Sequence, residues 1–183
     1  MTINEFYEAA INIVEKKFIP ILLRWGWGVE RKFDGNWKVW IISNSKGDKH
    51  IHFSVDKYPK VIRLSASKQR CFLFPEDYNG KDDPVKVVDK YFSEALERIV
   101  VFFTWCELPA VWVGEKNKLT TYRDGRPFIV EFSLERRSWS WKIFEPDEWG
   151  TPKHVATVRR KHEVDPIETF KQIVESYEVL SSL

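Results

Sequence analysis

This chain of 183 residues is poor in sulfur: it has two cysteines, Cys71 and Cys106, and one methionine. Neither cysteine sits in a Cys-x-x-Cys spacing. That excludes a dithiol redox motif, a four-cysteine zinc site and a disulfide-stapled scaffold. Glutamine is almost absent, with Gln69 and Gln172 alone, while 31% of residues are charged. Few labile residues beside many ionic ones is the compositional direction of hyperthermophile proteins. No long apolar run exists. The longest, Ile99 to Trp105, falls far below the ~20 residues a membrane helix needs. Met1 to Ala10 carries Glu5 and Glu8 and lacks a basic region followed by an apolar stretch, so it does not read as a secretory signal. No membrane association and a cytoplasmic location are the expectations. A strong excess of one charge is missing too. Basic residues number 29 and acidic 27, for a net charge of +2. This excludes a generic polycation, and any nucleic-acid binding must come from a local basic patch. Gly26 and Gly28 follow a helix and do not begin one, so there is no phosphate-cradling loop. There is no serine nucleophile elbow and no activated-cysteine signature. No cofactor is implied.

What is present is an apolar content of 43% with 15% aromatics, enough for a core, and a chain that reads as if written twice. Phe33-Asp34-Gly35-Asn36-Trp37 precedes one run of strands. Arg123-Asp124-Gly125-Arg126-Pro127 precedes another, with Asp124 lying 90 residues beyond Asp34. Each run ends in an Asp-Pro that opens an amphipathic helix, Asp83-Pro84 and Asp165-Pro166. Residues 2–23 read as a first helix, opened by a Thr2/Glu5 capping box and disturbed near its end by Pro20. Strands follow at 29–33, 37–43, 50–56 and 60–67, with Asp34-Gly35 as a type I′ hairpin turn. Cys71 to Phe74 is a short fifth strand or a buried tether, and Tyr78 to Asp83 a loop. The helix from Pro84 to about Trp105 is apolar round much of its circumference. Strands at 119–123, 128–134, 138–144 and 154–160 come next, then a helix from Pro166 to about Leu180. The expected fold is α+β. One compact domain holds two fused pseudo-repeats (about 1–107 and 108–183), each of about four antiparallel strands followed by a helix, with an extra N-terminal helix.

Trp37, Val39 and Ile41 oppose Trp40 and Ile42 along one strand, so both of its faces are apolar. One cover is a helix. The other is the opposite half, a second subunit or a ligand. Trp25, Trp27, Trp105 and Trp112 follow the first and central helices and read as plugs between helix and sheet.

The best candidate site is basic and aromatic. Arg136, Arg137, Trp139, Trp141 and Lys142 lie within seven residues. Arg159, Arg160, Lys161 and His162 end the strand expected beside them. Lys57, Lys60, Arg63, Lys68 and Arg70 occupy the corresponding part of the first half. Single-stranded nucleic acid is bound by such combinations, with cations following the phosphates and aromatic rings stacking on bases. Trp139 and Trp141 share a face at period two, as a stacking pair would. The competing reading makes the tryptophans core and the cations a solvated edge that blunts aggregation. His50 and His52 also share a strand face, half of a metal site without a third ligand in view. Glu131 and Glu135 are ~13 Å apart along one strand, too far for a retaining glycosidase pair. Asp147, Glu148, Lys161 and Glu163 loosely suggest a metal-dependent nuclease centre.

The inferred element order resembles the tandem four-strands-plus-helix units of Whirly and PUR-type proteins. The resemblance implies binding of single-stranded DNA or RNA on the sheets. It spans nearly the whole chain, but the N-terminal helix departs from it and no family residue can be placed on this sequence. The helix–strands–helix order is also similar to secretion-chaperone modules, which dimerise and hold protein segments. The leading expectation is a non-enzymatic, sequence-tolerant binder of single-stranded nucleic acid. Its site comprises Arg136, Arg137, Trp139, Trp141, Lys142, Arg159, Arg160, Lys161 and Arg63. A homodimeric interaction or chaperone-like module comes second, and a metal-dependent nuclease third.

Overall fold

The computed structural model describes residues 2–66, 69–74 and 81–177. Lys68, the Tyr78-Asn79-Gly80 part of the expected loop, and the last turn expected up to Leu180 lie outside the described residues. The fold is α+β, with two antiparallel five-stranded sheets and a few helices. It divides into two compact units, Met1–Leu96 and Glu97–Leu183.

The first unit begins with α1 (Ile3–Ile13). Thr2 caps it by accepting from the Glu5 N–H, and Glu5 accepts in turn from the Thr2 N–H at 2.7 Å. A π-helical turn, Val14–Phe18, joins α1 to α2 (Ile19–Arg24). Pro20 explains the turn. It has no N–H to give to the carbonyl of Lys16, and its ring crowds that carbonyl, so the preceding turn widens. Five strands form a meander in chain order: β1 (Gly28–Asp34), β2 (Trp37–Ser43), β3 (His50–Lys57), β4 (Ile62–Ala66) and β5 (Gln69–Phe74). The segment left open between strand and tether is thus the fifth strand. The β1–β2 turn is Gly35-Asn36, one residue later than expected, because Asp34 already pairs with Trp37. Only Gly35 there has positive φ, so the turn is not type I′.

One face of this sheet is covered by helices. Phe18, Phe53 and the α3 residue Phe92 (α3 spans Pro84–Cys106) meet with ring centroids 5.1–6.4 Å apart. Glu15 ties the N-terminal helix to the sheet edge. It takes both Arg31 N–H groups, at 2.6 and 2.8 Å, and the Trp40 indole N–H at 2.6 Å. The Arg31 bonds hold its carboxyl below the usual glutamate range against the opposing effect of burial.

The second unit holds the end of α3, then β6 (Val113–Glu115), β7 (Lys118–Arg123), β8 (Arg126–Leu134), β9 (Ser138–Pro146) and β10 (Pro152–Lys161), and α4 (Pro166–Ser176). These strands are again a meander. The short β6 was not anticipated, and it shifts the correspondence between units. Asp34-Gly35 lies by the first hairpin of one sheet, whereas Asp124-Gly125 makes the second hairpin of the other. Asp124 and Gly125 both have positive φ, as a type I′ turn requires. Asp165 caps α4 by accepting from the Ile167 N–H at 2.9 Å. The core here is Trp112, Phe132, Trp141 and Phe170, whose rings meet at 4.9–5.5 Å. Trp25, Trp27 and Trp112 are buried plugs as expected, but Trp105 is 43% exposed and lies against Gly114.

Candidate nucleic-acid interface

The sequence-derived cluster in the second unit separates when strand parity is applied. Trp139 and Trp141 do share a face, but it is the face packed on α4, and both are 0% exposed. Their indole N–H groups donate to the carbonyls of Val164 and Pro166, each at 2.9 Å. A ring enclosed on both sides cannot stack on a base, so both tryptophans leave the site. Lys142, one residue along, points to the opposite face, in the row Lys118–Glu131–Lys142–Thr157. Arg159 is on that face too. It is not free for phosphate, because Glu135 holds it through two bonds of 3.0 and 3.1 Å. That pairing, with a bond from Ser138, holds the Glu135 carboxyl below its usual range.

What does assemble is an end of the sheet. The β8–β9 turn carries exposed Arg136 and Arg137, and the adjoining end of β10 carries Arg160 and Lys161, paired in register with Trp139 and Ser138. No carboxylate lies within ion-pairing distance of these four among the described residues. His162, which reads in the sequence as one more surface base, is buried instead. Its Nε2–H lies 2.9 Å from the Ser138 carbonyl and 3.0 Å from that of Glu135, and it pins the arginine turn to the end of β10.

Arg63 belongs to the first sheet, on the face turned away from the helices. Register places four rows across that face, the last being Gly28, Ser43 and His50. Asp34, Trp37, Asp56 and Arg63 form one; Lys32, Val39, Ser54, Ser65 and Arg70 the next; Glu30, Ile41 and His52 the third. Trp37, His50, His52 and Arg70 are exposed, and a groove of about 450 Å³ runs over them with Ser54, Ser65, Asp56 and Arg63. A second depression of about 290 Å³ adjoins it, lined by Gly35, Asn36, Lys57 and Tyr58, and shares Trp37, Asp56 and Arg63 with the first. The Arg63 guanidinium sits 5.2 Å from the Tyr58 ring centroid and donates from Nε to Asp56 Oδ2 at 2.9 Å and from Nη2 to the same oxygen. That bond raises the Arg63 pKa, so it stays charged.

This face was only partly legible. In the sequence Arg63 and the doubly apolar strand carry a signal, and Trp37, Asp56 and Tyr58 carry none that marks a site. The signal available was the alternation itself: Trp37 is one of the two faces of that strand. His50 and His52 line the groove, and no group of three His, Cys, Asp or Glu side chains able to hold a metal ion occurs among the described residues. Asp147, from the nuclease reading, uses Oδ1 to accept the N–H groups of Trp149 and Thr151, both at 2.9 Å, and so builds the β9–β10 turn. No described helix is long and apolar enough to cross a membrane.

No family model, curated protein or solved structure matches this chain. The resemblance to Whirly and PUR-type proteins therefore rests on element order alone.

Proposed function

We propose that this chain binds single-stranded DNA or RNA without strict sequence preference, on the helix-free face of its first sheet. The observation that carries the reading is the groove in which a half-exposed tryptophan, Trp37, shares one sheet face with Arg63, Arg70, His50 and His52. An exposed ring on an open antiparallel face that also carries Arg70 and the Ser54 and Ser65 hydroxyls suits base stacking beside phosphate contact, with Arg63 held by Asp56. Arg136, Arg137, Arg160 and Lys161 form a separate set of candidate phosphate contacts on the second unit. The protein is read as a binding module with no catalytic step. The two meanders, each followed by a helix, are read as copies of one ancestral unit.

The test is fluorescence anisotropy of a labelled single-stranded oligonucleotide at low and moderate salt, with intrinsic tryptophan emission followed in parallel. Affinity should fall steeply with salt, since neutralised phosphates release counterions. Arg136→Ala/Arg137→Ala should flatten the salt dependence, and Trp37→Ala should abolish most of the quenching. If neither DNA nor RNA binds at low salt, the reading is wrong.

A second reading, a protein-interaction module, is favoured by Trp149. It stands 83% exposed in the β9–β10 turn. Solvated large aromatics of this kind anchor protein interfaces. That reading requires salt-tolerant self-association or complex formation, lost in Trp149→Ala.

A further inference from the structure

Most of the charge available to the open-face groove is conditional on pH. Its lining carries three side chains charged at neutral pH, Asp56, Arg63 and Arg70. Asp56 holds Arg63 through two bonds to one oxygen, and the two charges cancel. Arg70 is left as the uncompensated cation of the lining among the described residues. The same lining holds His50 and His52, both exposed, and neither ring is paired with a carboxylate among the described residues. They stand two apart on β3, hence on one face and about 7 Å apart along the strand. Imidazole is the side chain that gains its charge between pH 8 and pH 5. Protonation of both rings takes the lining from one net positive charge to three. The β2 strand beside them presents Trp37, Val39, Ile41 and Ser43 and no charge; β1 beyond it presents Glu30, Lys32 and Asp34. The β2–β3 turn next to His50 carries Lys46, Asp48 and Lys49, with Asp48 bonded to the Asn44 amide at 2.8 Å. The other two histidines belong to the second unit, where His162 is buried and His154 bonds the Thr157 hydroxyl.

We propose that His50 and His52 make the open face a proton-dependent binder, which takes up a nucleic-acid strand under mildly acidic conditions and releases it as pH rises. This rests on the reading that the open face binds single-stranded DNA or RNA. The sign follows from linkage. A phosphate favours the charged imidazole, so strand and protons bind together and each raises the affinity for the other. Two imidazoliums and Arg70 repel one another in the free groove, and a phosphate beside them relieves that repulsion. With both rings neutral, Arg70 alone meets the backbone charge, and stacking on Trp37 carries what remains. Each imidazolium within reach of a phosphate is worth roughly a three- to fivefold gain at moderate salt, so the two together give about tenfold.

The probe is oligo-dT, because thymine carries no group that titrates between pH 5.5 and pH 8, with a label insensitive to pH. Its affinity is measured by anisotropy at those two pH values and fixed ionic strength. Wild type should bind roughly tenfold more tightly at pH 5.5. The log–log salt slope should steepen there by about 0.7 for each histidine that gains a phosphate contact. His50→Gln/His52→Gln should bring the ratio of the two affinities to about one, whereas His154→Gln, on the other sheet, should keep it. Proton uptake gives a second readout: mixing wild type with oligo-dT in weakly buffered solution at pH 6.5 should raise the pH. Circular dichroism checks folding at both pH values; should the double variant fail there, the wild-type ratio and proton uptake decide. A wild-type ratio near one, absence of proton uptake, or a gain that survives in the double variant overturns the proton dependence and leaves the open-face reading standing. Absence of binding at both pH values in low salt, for DNA and for RNA, overturns the reading beneath it.

Discussion

Truncating Trp141 to alanine separates a core role from a ligand-stacking role more sharply than any other single change. The side chain is fully buried, its ring lies 4.9 Å from Phe132 and 5.1 Å from Phe170, and its N–H is bonded to the Pro166 carbonyl where α4 begins. Removing it takes away an apolar contact between β9 and α4 and leaves a cavity. Such truncations cost about 3–5 kcal/mol. The vacated carbonyl adds to this unless water reaches it. For a chain of this length each kcal/mol moves the melting temperature by about 2–4 °C, so a fall of roughly 6–20 °C is expected. Trp141→Phe keeps part of the ring packing and drops the hydrogen bond, and should fall between. The assay is urea unfolding followed by circular dichroism, supported by thermal melts. A Trp141→Ala protein within about 1 kcal/mol of wild type would refute the reasoning, because no ring enclosed in a close-packed interior can be deleted that cheaply.

Three further predictions concern local devices. Glu15 has a carboxyl pKa lowered in the folded state, so the stability it contributes is complete above the unfolded glutamate pKa and is lost as pH falls through the lower folded value. Wild type should thus lose more melting temperature than Glu15→Gln on acidification below about pH 4.5, while at pH 7 the variant should be about 1–2 kcal/mol less stable; parallel pH profiles would refute this. Asp165→Ala removes the side-chain cap of α4 and should cost about 1 kcal/mol in urea unfolding, with Asp165→Ser retaining most of it. Gly125→Ala has open space for its Cβ but a φ of +74°, so it should cost about 1 kcal/mol through backbone strain alone, which a β7–β8 turn tolerant of alanine would contradict.

The asymmetry between Trp37 and Trp141 shows how much of the site could be read in advance. Both stand in strands with alternating apolar residues, and both have a second tryptophan nearby on the chain. Alternation tells which residues share a face, because successive side chains point to opposite sides. It is silent on which face a helix will cover. The β2 strand is apolar on both faces, so its pattern gave no direction at all, and Trp40 went inward to Glu15 while Trp37 went outward. Around β9 the cations Arg136, Arg137 and Lys142 lie next to Trp139 and Trp141 in the sequence, so by sequence alone they read as one site. The pleat sends the rings under α4 and Lys142 to the other side.

Local chemistry, by contrast, was settled by the chain itself. The Thr2/Glu5 box, the helix starts at Asp83-Pro84 and Asp165-Pro166, the disturbance at Pro20 and the Asp124-Gly125 turn each depend on residues within a few positions of one another. Tertiary structure alone decided the rest: the short β6, the covered face of each sheet, and the pairing of Asp56 with Arg63 that leaves one oxygen unbonded. These depend on strand register and on which layer packs where. Both are set by burial summed over distant residues, and no local window of the sequence contains that sum.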